Sequence, residues 1–74
     1  MQTLFTVKGI ISNKFSESKY VNFSGDDIVT YYDAYEKTYI YLKNGFEIIT
    51  KNSVGTELKK YLASTGTKAV KLGD

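Results

Sequence analysis

The chain has 74 residues, 42% of them hydrophobic, and a formal net charge of +2. That length and apolar content describe one domain (residues 1–74) rather than a disordered segment. The absence of Cys and His excludes disulfides, thiolate or imidazole zinc sites, and Ser-His-Asp or Cys-His nucleophilic devices.

The first residues lack a basic region followed by an apolar stretch, so they do not read as a signal peptide. No apolar run approaches the roughly 18 residues of a membrane span. A soluble, cytoplasmic protein without a membrane partner is the expectation. All ten basic residues are Lys. A sequence-specific DNA reader without the Arg fork is therefore not expected.

Residues 4–12 form the first expected strand. Phe5, Val7 and Ile11 share one face; Leu4, Thr6, Lys8 and Ile10 share the other. Gly9 interrupts it and marks a bulge or bend. Residues 13–19 read as a polar loop around Phe15. Residues 20–24 read as a short second strand, and Gly25-Asp26-Asp27 as a turn. The β-branched and aromatic run from Ile28 to Asp33 is a third strand. Ile28, Thr30 and Tyr32 fall on one side of it, Val29 and Tyr31 on the other.

Residues 34–37 turn the chain back into a hairpin from Thr38 to Lys51. Asn44-Gly45 is its expected two-residue type I′ turn, because both residues tolerate positive φ. That turn fixes a register: Lys43 with Phe46, Leu42 with Glu47, Tyr41 with Ile48, Ile40 with Ile49, and Tyr39 with Thr50. Tyr39, Tyr41, Phe46 and Ile48 then share one face, and Ile40, Leu42 and Ile49 the other, with Glu47 beside them.

Asn52 or Ser53 is the expected cap of a helix running to about Ala63. Its apolar stripe is Val54, Leu58, Tyr61 and Leu62, with Gly66 as the stop. Residues 65–74 read as a flexible tail, with one last edge strand as the other reading of 67–74. The fold class is α+β: an antiparallel sheet of four to five strands, or the same sheet curled into a small closed barrel, with one C-terminal helix.

The order of elements from Tyr20 to Leu62 resembles the small flagellar FlbD-like proteins. It also resembles the last strands and helix of LytTR-type DNA-binding domains. The matching positions are Ile28 and Val29, Thr38 to Gly45, Ile48 to Thr50, and Ser53-Val54. The resemblance implies a β-β-β-α order. Two features depart from it: about ten additional residues precede the matching region, and there is no Arg for the DNA-contacting loops of LytTR domains. No binding residue is carried over.

Chemistry-bearing residues are few. Asp26, Asp27, Asp33 and Glu36 lie close in sequence, but their spacing matches no Ca²⁺ loop, and no metal is expected. Gly66-Thr67-Lys68 does not complete a phosphate-loop pattern, and Asn22-Phe23-Ser24 is a chance glycosylation sequon. No cofactor and no catalytic residue are expected. Tyr is the excess, with seven copies.

With both hairpin faces apolar, one helix covers one face and something else must cover the second. It either closes into a barrel, dimerises or receives a partner. The reading taken is a small non-catalytic binding or regulatory protein of bacterial or phage accessory type. It acts through protein–protein contact, as a homo-oligomer or with a heterologous partner, using Tyr39, Tyr41, Phe46 and Ile48. The alternative is a single-stranded nucleic-acid binder, in which bases stack on Tyr39 and Tyr41 while Lys43 meets phosphate.

Overall fold

Gly9 sits where the first strand changes partners, and the architecture follows from that change. The computed structural model describes residues 3–12, 17–63 and 69–73. Its elements are β1 (Leu4–Ile11), β2 (Lys19–Ser24), a 3₁₀ turn (Gly25–Asp27), β3 (Ile28–Ala34), β4 (Lys37–Leu42), β5 (Glu47–Lys51), α1 (Asn52–Leu62) and β6 (Ala69–Leu72). The sheet runs β2-β1-β5-β4-β3, with β6 also on β1. All pairings are antiparallel except β1–β6, which is parallel.

Along one edge β1 pairs with β6 through Leu4–Val7, then with β5 through Ile10 and Ile11. At Gly9 a Cβ atom would stand 2.8 Å from the Ile49 carbonyl oxygen, so only glycine lets the two strands approach there. The Lys8 carbonyl accepts instead from the Thr50 hydroxyl at 2.9 Å.

β2 and β3 lie at opposite ends of this path, yet three residues join them. The sheet must therefore curl. Ser24 and Asp27 lock the corner reciprocally: the Ser24 hydroxyl accepts from the Asp26 N–H, and the Asp27 carboxylate accepts from the Ser24 N–H at 2.9 Å. β2 and β3 do not pair, so the sheet is curled but not closed into a barrel. The closed-barrel alternative is thus corrected.

The inside of the curl is the core. It holds Phe5, Val7, Phe23, Ile40, Leu42, Ile48 and Leu72, joined by Val54 and Leu58 of α1. β1 alternates as its sequence pattern requires, with Phe5, Val7 and Ile11 buried. Phe5 and Phe23 face each other across β1–β2, ring centroids 5.5 Å apart.

α1 contributes the expected stripe: Val54 and Leu58 are buried, and Tyr61 and Leu62 pack against the core. Its N-cap is Lys51, without a side-chain cap bond, rather than Asn52 or Ser53. Asn52 is already inside the helix, and its N–H donates to the Glu36 carbonyl at 3.3 Å. The tertiary contact thus satisfies one of the donors left free at the helix start. Gly55 lies directly on Thr38 of β4: an added Cβ would stand 2.0 Å from its hydroxyl oxygen. The Gly66 stop and the Phe15 loop lie outside the described residues. Ala69–Leu72, within the expected tail, forms strand β6 on β1.

Two local features differ from expectation. Asn44-Gly45 does not make a two-residue hairpin. The observed register pairs Tyr39 with Ile49, Ile40 with Ile48 and Tyr41 with Glu47, one residue away from the expected one. Leu42 donates to the Phe46 carbonyl, and Gly45, at φ +91°, donates to the Leu42 carbonyl at 3.0 Å. The loop is therefore three residues long. The core explains the slip. In the two-residue register Ile48 would share the face of Tyr41, and Glu47 would stand beside Leu42. Sliding β5 by one puts Ile48 and Thr50 inside and Glu47 and Ile49 outside.

The tight positive-φ turn is instead Tyr35-Glu36, at φ +53° and +62°, between the paired Ala34 and Lys37. The second difference is at Val29. The β3–β4 register shifts between Ile28 and Thr30. Ile28 therefore joins the core side with Tyr31 and Asp33, leaving Thr30 and Tyr32 outside.

Candidate functional site

Among the described residues the outer face of β3, β4 and β5 carries no helix, and the observed registers decide what it displays. Tyr32 stands opposite Tyr39, Tyr39 opposite Ile49, and Ile49 opposite Ile10. One step along, Thr30 stands opposite Tyr41, and Tyr41 opposite Glu47. Tyr32 is the hub. Its ring stacks on Tyr39 at 5.0 Å with 8° between planes, and on Tyr41 at 6.0 Å with 23°. The Tyr32 and Tyr41 hydroxyls share a hydrogen bond of 3.4 Å. Hydrogen bonding to the Glu47 carboxylate, then to Tyr32, holds the Tyr41 phenol well above its ordinary pKa, since a carboxylate acceptor favours the protonated, donating form.

The four residues expected to form the contact face divide. Tyr39 and Tyr41 are on the outer face. Ile48 is fully buried in the core and Phe46 packs against the core, because the one-residue slip turns both inward. The residues that this face carries are Tyr32, Tyr39, Tyr41 and Ile49, rather than the Tyr39, Tyr41, Phe46 and Ile48 expected to share one face. Lys43, the cation of the nucleic-acid alternative, lies in the hairpin loop, its N–H donating to the Asp27 carbonyl at 2.8 Å. The sequence reading missed Tyr32 as a partner because the β3–β4 register depends on the bulge at Val29 and a turn without Asn or Gly. A β-branched and aromatic strand next to the hairpin was the available signal.

β3 borders this face as the end of the sheet path. It exposes Val29, Tyr31 and Tyr32, and the turn after it exposes Tyr35 at 88%. On the helix side of β3, Asp33 accepts from the Thr38 hydroxyl at 2.7 Å and from the Lys59 ammonium. The Lys59 hydrogen bond and then that of Thr38 lower the Asp33 pKa below the usual carboxylate value. Lys59 also lies over the Tyr31 ring, 5.6 Å from its centroid.

The four acids close in sequence do not gather. Asp26 and Asp27 belong to the 3₁₀ turn, Asp33 pairs with Lys59, and Glu36 is in the turn after β3. Among the described residues no group of three His, Cys, Asp or Glu side chains is placed to hold a metal ion. None of their helices is long and apolar enough to cross a membrane. Compared with protein-family models, curated proteins and solved structures, the chain matches none.

Proposed function

We propose that this is a small non-catalytic binding protein that acts through protein–protein contact and associates with itself. The contact surface is the tyrosine face of β3–β5 together with the edge of β3 that pairs with no other described strand. The observation that carries this reading is the stacked Tyr32–Tyr39–Tyr41 cluster on the sheet face opposite the helix. Held rings lose little side-chain entropy on contact, and tyrosines serve as interface anchors for that reason. The adjoining edge supports the same reading. Its seven residues include a single charge, Asp33, already paired with Lys59. An edge strand with so little charge is a template for another strand.

Light scattering across a concentration series tests this. The mass should rise towards that of a dimer, and Tyr32→Ser with Tyr41→Ser should return it to the monomer. A monomer persisting to about 1 mM, where a contact worth about 4 kcal/mol is already populated, would overturn self-association.

A further inference from the structure

Beside the tyrosine cluster the same outer face carries a row of lysines. Lys37 and Lys51 stand directly opposite each other on β4 and β5. Like charges so placed destabilise a ladder. Lys8 extends the row. It is two residues before Ile10 and so on the same face of β1, just before the pairing of β1 with β5 begins, and it lines one cleft with Lys51. The bond from the Thr50 hydroxyl to the Lys8 carbonyl fixes that proximity.

The three lysines line one cleft of about 370 Å³, at the fork where β1 passes from β6 to β5. Among the described residues no Asp or Glu lines it, and none of the three lysines is in an ion pair. A fourth cation adjoins the row: Lys71 and Lys8 both lie over the Tyr20 ring, 4.6 and 5.8 Å from its centroid. On β4 the outward residues run Lys37, Tyr39, Tyr41, so the cationic row borders directly on the aromatic one.

We infer that this band binds single-stranded nucleic acid, with phosphates along Lys8, Lys51 and Lys37 and a base against Tyr39. Charge complementarity selects an anion, and the neighbouring ring selects one whose charge lies next to a flat apolar group. A phosphodiester strand has that pattern, and stacking on aromatic side chains is indifferent to base identity. The lysines that carry the charge are on the sheet rather than at Lys43 in the loop.

Fluorescence anisotropy with a labelled oligothymidylate of about ten nucleotides, within the site size of small sheet binders, tests the assignment. The anisotropy should rise on titration, and Lys37→Gln with Lys51→Gln should weaken binding about tenfold or more. Removing two phosphate contacts should also flatten the slope of log K against log salt by about 1.4, at about 0.7 per contact. Tyr39→Leu should weaken binding about tenfold, the loss of one stacked base.

Lys51→Glu pairs with Lys37, keeps the sheet folded and should abolish binding, which covers the case of a double variant that does not fold. The lysine variants should leave the light-scattering mass unchanged, which separates the phosphate row from the self-contact, with which the site shares only Tyr39. No binding at low salt, or affinity unaffected by the lysine changes, would overturn the inference. So would Tyr39→Leu binding as tightly as the parent while heparin competes as well as the oligonucleotide, because the band would then be a general polyanion patch.

Discussion

Replacing Gly55 with alanine sets a helix gain against a steric cost, and the structure decides the sign. In an exposed helix the change would stabilise by about 1 kcal/mol. Here the new Cβ would stand 2.0 Å from the Thr38 hydroxyl oxygen and 2.6 Å from the Thr38 Cβ. Rotating Thr38 relieves the first contact but not the second, and it breaks the bond to Asp33. Ordinary contact begins at 3.4 Å, so α1 must retreat from β4 by about 1.4 Å. Leu58 and Val54 are buried on the same helix and move with it. A gap of about 0.5–1 Å already forfeits a quarter to a half of a contact's attraction.

Overpacking of this kind costs about 1–3 kcal/mol and sits at the top of that range when a whole helix shifts. The net loss is about 2 kcal/mol, which lowers Tm by about 8–16 °C in a domain of this size. Thermal unfolding followed by circular dichroism measures it. Thr38→Ala removes two of the three clashing atoms, so the double variant should be less destabilised than the sum of the singles. A Gly55→Ala protein that melts at or above the parent temperature would refute the close helix–strand contact.

Other expectations follow from the same packing. Leu58→Ala should cost about 3–4 kcal/mol in denaturant unfolding, because Leu58 is fully buried between helix and sheet. Tyr35→Asn with Glu36→Gly should stabilise by about 1–2 kcal/mol on the same measurement, since both positions hold positive φ and Asn-Gly relieves it. At high pH the stability should fall. The folded-state pKa of Tyr41 is raised above its ordinary value of 10.0, so its contribution is complete below pH 10 and is lost as pH rises through the folded value. Glu47→Gln should shrink that alkaline loss, and Tyr41 should be late in an absorbance titration of the tyrosines.

Much of the chain was legible before its structure. The alternation of β1, the run of β3 and the stripe Val54–Leu58–Tyr61–Leu62 each state a local period, and each element formed where its period runs. The candidate face was legible only in part. Tyr39 and Tyr41 are two residues apart on one strand, so their shared side needs no partner. Placing Phe46 and Ile48 with them required the register of a second strand, and the Asn44-Gly45 signal gave the wrong loop length.

What the sequence alone determined is therefore the set of elements from β1 to α1, because strand and helix periods are properties of neighbouring residues. The tertiary structure decided how those elements are set against one another. Burying Ile48 and Thr50 outweighed the preference of Asn-Gly for a two-residue turn. The bulge at Val29 brought Ile28 to the core side and left Tyr32 against Tyr39 and Tyr41. The fork at Gly9 brought Lys8, from the start of the chain, next to Lys51 and Lys37. Register is fixed by which side chains the core accepts, and that condition involves residues forty positions apart.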